Sequence, residues 1–263
     1  MRYLRYKKFM CALLASAMVV SGLPADTNPA YAEEADETAD ETQSTNDSEV
    51  SDNGTTSEDE AEEANLIASI NFDDSSLEAD GANVTVTGTE DYEDDTESGE
   101  GKSFYFNGKT CLTVTDEDGG SLLSGHDELT VSYRSKPTKS SGGNWPFFAA
   151  HNSTARSESN LHYIGVLDGT DSLTAERFGD SRTTSLAGAS ATVWKNVTIV
   201  YEEDTTTLYI NGKKKTSATG CVAMDEVLGD SSILQLGKAN WGSGEYYKGY
   251  LDEIKIYDGA LDA

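Results

Sequence analysis

The chain has 263 residues, with 47 Asp and Glu against 19 Lys and Arg, and a formal net charge of −28 at pH 7. Nucleic acids and anionic membrane surfaces repel a protein of this charge, so neither is expected as a partner. The composition suits an exported protein that handles neutral ligands or binds hard cations. The 198 residues from position 66 to the end are enough to bury the core of one β-sandwich.

Residues 1–32 are typical of a secretory signal peptide. Basic side chains lie between Arg2 and Lys8, the run at 9–20 is apolar, and Ala30-Tyr31-Ala32 has the small-x-small form of a cleavage site. The apolar run is shorter than a membrane-spanning helix, which needs roughly 20 residues. The sequence therefore predicts a secreted protein without membrane insertion.

Residues 33–65 form an acidic tract. Positions 33–64 contain 14 Asp and Glu, no Lys or Arg, and almost no large apolar side chains. Such a segment cannot bury enough apolar surface to offset its conformational entropy, so we expect a disordered linker. A tether between the export signal and a folded module is the main interpretation, and a tail that binds cations or a partner is the alternative.

From residue 66 to residue 263 the sequence predicts one all-β domain. Apolar and polar residues alternate over short runs, turn-forming residues separate these runs, and no useful length of amphipathic helical pattern occurs. Two Asn-Gly pairs, Asn107-Gly108 and Asn211-Gly212, predict hairpin turns. The predicted strands lie near residues 66–72, 84–86, 104–106, 111–115, 129–133, 147–150, 161–166, 173–178, 197–201, 208–210, 233–236 and 249–258.

The closing strand at 249–258 carries a carboxylate on its apolar face. Strict alternation places Asp252 on the same face as Ile254 and Ile256, and Glu253 on the opposite face. A charge that faces the core needs hydrogen bonds, a cation or an edge position. Because alternation separates Asp252 from Glu253, the two carboxylates are not expected to form a catalytic pair.

Three stretches of the chain have a distinctive order: a strand led by tryptophan, a hairpin with an Asn-Gly turn, and the closing strand. They read Trp194-Lys195-Asn196-Val197-Thr198-Ile199-Val200-Tyr201, Leu208-Tyr209-Ile210-Asn211-Gly212-Lys213 and Gly249-Tyr250-Leu251-Asp252-Glu253-Ile254-Lys255-Ile256-Tyr257. Together they resemble the LamG-like jelly-roll family, within the concanavalin A-like lectin and glucanase superfamily. The resemblance extends over residues 66–263.

The resemblance implies an all-β, two-sheet antiparallel jelly-roll sandwich whose first and last strands lie side by side. It also implies a structural Ca²⁺ near those strands, with Asn71, Asp73 and Asp252 at the matching positions, and hard oxygen ligands suit this ion. The alternative is that Asp252 hydrogen-bonds the backbone at the end of the sheet.

Catalytic patterns are missing from the sequence. Glycosidases generally need two carboxylates across the scissile bond, and the E-x-D-x-x-E arrangement of catalytic members of the superfamily does not occur. Motifs of zinc proteases, serine hydrolases and phosphate-binding loops are not found either. We therefore expect a domain that is not itself an enzyme.

Two cysteines, Cys111 and Cys221, follow the signal peptide. They can pair in an oxidising compartment, but a disulfide also needs the two residues to lie close together in the fold. One disulfide and two separate core thiols are both compatible with the sequence.

The candidate ligand-binding residues are aromatic or polar side chains in or beside loops, because rings stack on sugar faces and polar groups bind hydroxyls. Trp194, at the start of a strand, is instead expected to cover the core. The predicted ligand-binding residues are Trp145, His151, Arg177, Trp241 and Tyr246.

The leading interpretation is a secreted, monomeric, non-catalytic module that binds a polysaccharide or another glycan. One alternative is the N-terminal accessory module of a larger secreted glycoside hydrolase. Another is a module for adhesion or protein–protein interaction.

Overall fold

The computed structural model describes residues 65–95, 101–151, 162–179, 182–188, 192–240 and 245–261. The predicted signal peptide, nearly all of the predicted linker and Trp241 lie outside these residues. The strands are β1 (Asn65–Ile70), β2 (Ala79–Asp80), β3 (Asn83–Thr87), β4 (Tyr92–Asp94), β5 (Lys102–Asn107), β6 (Cys111–Thr115), β7 (Leu129–Pro137), β8 (Phe147–Ala150), β9 (Tyr163–Asp168), β10 (Leu173–Phe178), β11 (Arg182–Gly188), β12 (Lys195–Tyr201), β13 (Thr205–Ile210), β14 (Lys213–Thr219), β15 (Ile233–Leu236) and β16 (Lys248–Asp258).

These strands form two antiparallel sheets, as the sequence predicted. A nine-stranded sheet runs in the order β14-β13-β12-β7-β16-β1-β2, with β5 pairing one end of β16 and β4 pairing β5. A seven-stranded sheet runs in the order β11-β10-β9-β8-β15-β6-β3. The predicted strand pattern missed four short or edge strands, β2, β4, β11 and β14, and the one-turn helix α1 (Met224–Leu228).

The first and last strands are neighbours, which confirms the expectation from the family resemblance. Strand β1 pairs β16 antiparallel, with Ile70 opposite Ile254 and Ala68 opposite Ile256. On its other side β16 pairs β7. The closing strand thus joins the start of the domain to the middle of the nine-stranded sheet.

The core lies between the two sheets and follows the period of two along each strand. Val131 and Tyr133 of β7 and Val197 and Ile199 of β12 belong to one buried cluster with side chains of the seven-stranded sheet. Residues between these positions, such as Ser132 and Thr198, therefore point away from the core on what we call the outer face of the nine-stranded sheet.

The two Asn-Gly pairs have different outcomes, since only the second forms the predicted hairpin turn. Asn211 and Gly212 have φ values of 51° and 69°, and they connect β13 to β14. Positive φ at both central positions suits the twist of a two-residue hairpin, and Asn and Gly adopt it at little cost. Gly108 also has a positive φ, of 86°, but β5 and β6 belong to different sheets. Asn107-Gly108 therefore carries the chain from one sheet to the other, and the hairpin predicted there was wrong.

A β-bulge in the closing strand overturns the predicted orientation of Asp252. Glu253 has a φ of 48°, and the pairing register between β16 and β7 shifts after Asp252. The extra residue places Asp252 opposite Arg134, on the outer face, while Ile254 and Ile256 keep facing the core. Both Asp252 and Glu253 therefore lie on the side of Arg134, so the predicted separation onto opposite faces was wrong.

The cysteines and the length of the helices bear on two further questions that the sequence raised. Cys111 and Cys221 are both buried free thiols, which decides between the two alternatives that the sequence left open. Among the described residues, no helix is long and apolar enough to span a bilayer.

Candidate functional site

Trp145 does not offer the open ring surface expected of a loop residue. The side chain is 3% exposed, and its indole N–H donates a hydrogen bond of 2.8 Å to Oε2 of Glu245. Its ring packs edge-on against Phe148 and Tyr163 on the outer side of the seven-stranded sheet. The absence of a side chain at Gly165 makes room for this ring, since a Cβ there would lie 2.9 Å from it.

Arg177 is a structural residue rather than a surface ligand contact. It is 1% exposed and shares the inner face of β10 with Leu173 and Ala175. Its guanidinium donates to the carbonyl oxygens of Glu202 (2.6 Å) and Glu203 (2.9 Å), in the turn between β12 and β13. Burial lowers the pKa of this guanidinium. Arg177 thus fixes a turn of the opposite sheet, which corrects the expected rim position.

The other predicted ligand residues are scattered. His151 is half-buried, and its ring lies 6.2 Å from that of His162 in a T-shaped arrangement. Tyr246 is half-buried, with Lys238 Nζ 5.2 Å from its ring centre. Tyr246 follows Glu245, the partner of Trp145, so these two predicted residues lie near each other, whereas Arg177 belongs to the core.

The outer face of the nine-stranded sheet carries a row of aromatic rings that the sequence reasoning missed. Tyr105 of β5 lies opposite Tyr250 of β16, with 4.9 Å between ring centres. Trp194, immediately before β12, lies 6.0 Å from Tyr250. All three rings are half-buried, so part of each remains accessible to solvent. We call these three residues the aromatic row.

Charged groups border the aromatic row. The guanidinium of Arg134 lies 4.9 Å from the centre of the Trp194 ring, and Nη1 contacts Oδ2 of Asp95 at 2.5 Å. The hydroxyl of Tyr250 donates to Oε2 of Glu93 at 3.0 Å. Burial, followed by this hydrogen bond, raises the pKa of Tyr250 to about 12. The phenol therefore stays neutral, and the row combines stacking surfaces with hydrogen-bonding groups at its edge.

The sequence contained a signal for this row. Tyr105 alternates with the core residues Phe104 and Phe106, and Tyr250 precedes the core residue Leu251, so alternation places both tyrosines on the outer face. Trp194 was expected to cover the core. It instead lies on the outer face beneath the guanidinium of Arg134, because the inward position is taken by Lys195.

The three residues predicted to bind a metal differ in their surroundings. Asn71 and Asp73 are exposed, and Oδ1 of Asp73 accepts the backbone N–H of Lys102 at 3.3 Å. Asp252 is 3% exposed, and within the described part of the chain its Oδ1 has no hydrogen-bond partner. Burial raises the pKa of Asp252 to about 6, and the negative charges of Asp73 and Glu253 add to the shift.

Of the three predicted metal ligands, Asp252 is the one whose surroundings favour a hard cation. A buried carboxylate oxygen without a donor is a ready ligand, and oxygen donors are those that Ca²⁺ prefers. Among the described residues, no group of three or more Asp, Glu, His or Cys is close enough to hold a metal ion. Backbone carbonyl and amide oxygens would have to complete the coordination.

An acidic cavity of about 750 Å³ lies elsewhere on the domain. His126 Nδ1 pairs with Oδ1 of Asp258 at 2.8 Å on its wall, and Glu203 and Asp225 also line it. The described residues that line it include no tyrosine or tryptophan ring, so this lining lacks the stacking surface of the aromatic row.

A family model described as the concanavalin A-like lectin/glucanases superfamily matches residues 112–263. The chain belongs to this superfamily, in agreement with the resemblance and with the two-sheet sandwich. No curated protein matches the chain.

Among solved structures, domain 4 of AbnA, a GH43 extracellular arabinanase from Geobacillus stearothermophilus in complex with arabinotriose, matches with a TM-score of 0.62 and 24% identity. The match covers 76% of this chain and 96% of that domain. The binding domain of Paraclostridial Mosquitocidal Protein 1 matches with a TM-score of 0.55 and 15% identity, over 75% of this chain and 50% of that one. The Ruminococcus gnavus IT-sialidase CBM40, bound to α2,3-sialyllactose, matches with a TM-score of 0.50 and 12% identity, over 61% of this chain and 91% of that one. These likenesses concern the fold.

Proposed function

We propose that this chain is a secreted, non-catalytic module that binds carbohydrate through the outer face of its nine-stranded sheet. The observation that carries the proposal is the aromatic row of Tyr105, Tyr250 and Trp194, with half-exposed rings bordered by charged groups. Sugar rings present an apolar C–H face and a rim of hydroxyls, so they suit aromatic surfaces with polar groups at the edge.

The family and the fold support this function. The chain belongs to the concanavalin A-like lectin/glucanases superfamily, and structures with the same fold were solved with arabinotriose and with sialyllactose. Those ligands belong to the other proteins. For this chain we propose a glycan as the class of ligand and leave its composition to experiment.

Glycan arrays and affinity electrophoresis on plant and host polysaccharides test the proposal. Trp194→Ala and Tyr250→Ala should each lower affinity by roughly tenfold or more, as truncation of aromatic anchors does in other interfaces. Tyr246→Ala is the matched control, since Tyr246 is also half-buried but lies beside Lys238, away from the row. Absence of binding to every glycan tested would refute the function. Binding lost only in Tyr246→Ala would move the site to the loops predicted from the sequence.

A second candidate is an accessory module of a larger secreted glycoside hydrolase. The observation in its favour is the fold shared with domain 4 of an extracellular arabinanase. A catalytic domain in the same reading frame, with hydrolysis of the glycan that the module binds, would support it. Binding to a protein partner and to no glycan would instead favour an adhesion or protein-interaction module.

We also propose that Ca²⁺ binds at Asp252, with Asp73 and the amide oxygen of Asn71 as further ligands. The ion would neutralise a buried carboxylate whose Oδ1 has no partner within the described chain. Adding Ca²⁺ to EDTA-treated protein should raise the melting temperature, because a ligand of the folded state stabilises it. Asp252→Asn should abolish that increase, and Asp230→Asn, an exposed carboxylate at another place, should leave it unchanged. No increase in the wild type would refute the site.

Export and oligomeric state complete the proposal. Cleavage after Ala32 should give a mature protein that begins at Glu33, which N-terminal sequencing of secreted material would show. Light scattering should find a monomer.

A further inference from the structure

A pocket of about 230 Å³ opens on the outer face of the nine-stranded sheet, separate from the aromatic row. Tyr209 of β13 and Tyr257 of β16 line it, and Ser132 of β7 and Thr198 of β12 lie on the strands between them. Neighbouring strands are about 4.8 Å apart, so the backbones of the two tyrosines are separated by about 14 Å. The small residues between them leave a trough with a phenol ring on either side. We call this site the tyrosine pocket.

The floor and the end of the tyrosine pocket are held in place. The hydroxyls of Ser132 and Thr198 lie 3.2 Å apart and hydrogen-bond each other across two strands. Leu261 closes one end, and its backbone N–H donates to Oγ1 of Thr130 at 2.9 Å. Most of these side chains lie on hydrogen-bonded strands, and a hydrogen bond to Thr130 holds Leu261. The pocket is therefore formed before a ligand binds.

The chemistry of the lining selects a ligand class. The pocket is lined by Ser132, Thr198, Val200, Tyr209, Gly212, Tyr257 and Leu261, none of which is charged. Within the described part of the chain, neither tyrosine hydroxyl makes a hydrogen bond, so both can donate to or accept from a ligand. Two ring faces and four hydroxyls in a small uncharged space suit one sugar ring and disfavour a charged one.

We propose that the tyrosine pocket is a second carbohydrate subsite that takes a single neutral sugar ring. This inference rests on the proposed function and extends it, because the pocket shares the outer face with the aromatic row. Tyr250 and Tyr257 lie on the same strand, separated by about 20 Å of extended chain. A glycan chain of several residues spans both sites.

Saturation-transfer NMR and calorimetry test this with neutral methyl glycosides of glucose, galactose, xylose and arabinose, with glucuronic acid as the charged probe. Wild-type protein should bind at least one neutral methyl glycoside and not the acid. Tyr209→Ala and Tyr257→Ala should weaken that binding by roughly tenfold or more. Thr198→Val keeps the shape and removes one hydroxyl, and should weaken binding by roughly three- to tenfold.

Three control variants separate loss of the pocket from unfolding and from damage to the aromatic row. Tyr209→Phe keeps the ring and removes only the hydroxyl, so it should bind more tightly than Tyr209→Ala. Comparing the folding of these two variants shows whether weak binding by Tyr209→Ala comes from unfolding. Trp194→Ala should leave the single-ring probe bound and weaken only longer oligosaccharides. Asp230→Asn, which changes an exposed carboxylate outside the pocket lining, should behave as wild type.

The outcomes distinguish this inference from the proposed function. Glycan binding that depends on Trp194 and is unchanged in Tyr209→Ala and Tyr257→Ala refutes the pocket and leaves the aromatic row standing. Absence of any glycan binding removes both. Tight binding of glucuronic acid at the pocket tyrosines also overturns the assignment.

Discussion

A buried ion pair that bridges the two sheets gives the sharpest prediction about stability. Lys195 of the nine-stranded sheet places Nζ 2.9 Å from Oδ1 of Asp168, which belongs to the seven-stranded sheet. The side chains are 5% and 0% exposed, and Ser135 donates a hydrogen bond of 2.7 Å to the other carboxylate oxygen. Burial raises the pKa of Asp168 and lowers the pKa of Lys195, and the attraction between the two charges opposes both shifts.

Replacing Lys195 with methionine keeps the packing and removes the cation. Asp168 then has to be protonated or remain charged without a partner. Protonating a carboxyl group of ordinary pKa near 3.9 at pH 7 costs about 1.4 kcal/mol per pH unit, or about 4 kcal/mol. This figure falls within the 3–5 kcal/mol typical of a broken buried pair. We therefore expect Lys195→Met to lower the free energy of unfolding by about 4 kcal/mol at pH 7.

The pH dependence has a definite sign. In Lys195→Met the folded pKa of Asp168 lies above its unfolded value, so the folded variant loses stability as pH rises. The deficit relative to the wild type should grow by about 1.4 kcal/mol per unit between pH 6 and pH 8. The double variant Lys195→Met/Asp168→Leu removes both charges and should recover most of the loss, because apolar replacements of a buried pair are often neutral.

Urea unfolding of the four proteins in this cycle, at pH 6, 7 and 8, measures these differences. A cost below about 1 kcal/mol for Lys195→Met would mean that water reaches Asp168 and screens its charge. A cost that does not change with pH would show that Asp168 stays ionised in the variant. Either result refutes the expected behaviour of this ion pair.

Four further variants test the closing strand and the packing of Trp145. Burial raises the pKa of Asp252 to about 6, so in EDTA and above pH 7 Asp252→Asn should raise the free energy of unfolding by about 1 to 2 kcal/mol, after discounting for partial solvent screening. This gain should vanish as pH falls from 6 to 4, because the wild-type carboxyl then becomes protonated. Urea titrations that show a gain independent of pH would contradict this. Glu253→Gly should raise the melting temperature and Glu253→Val should lower it, since φ is 48° at this bulge; equal melting temperatures would refute the strain. Gly165→Ala should lower the free energy of unfolding by about 1 to 3 kcal/mol, because its Cβ would lie 2.9 Å from Trp145 and 3.2 Å from Phe148. A neutral result in thermal unfolding would show that these rings can move.

The sequence was sufficient for the class of fold because alternation and turn chemistry are local. The Asn211-Gly212 turn and the alternation of Val197 and Ile199 act within a few residues, and both appear in the structure where expected. The pairing of β1 with β16 joins residues far apart in the chain, and only the family resemblance predicted it.

The side chains of the site were harder to predict because their exposure depends on what packs against them. Trp145 lies in a Gly-rich loop, yet Glu245 and the missing side chain of Gly165 bury it. Trp194 was assigned to the core from its position ahead of a strand, but the inward position belongs to Lys195, whose partner Asp168 lies on the opposite sheet. Neither contact leaves a local mark in the sequence.

The bulge at Glu253 also determines which surface the closing strand presents. Tyr250 and Tyr257 are seven positions apart, and strict alternation would place an odd spacing on opposite faces. The extra residue restores them to one side, where Tyr250 joins the aromatic row and Tyr257 lines the tyrosine pocket. The same irregularity turns Asp252 away from the core and towards Arg134. A single left-handed residue therefore places both proposed sugar subsites and the proposed cation ligand on one face, and so links the closing strand to binding as well as to architecture.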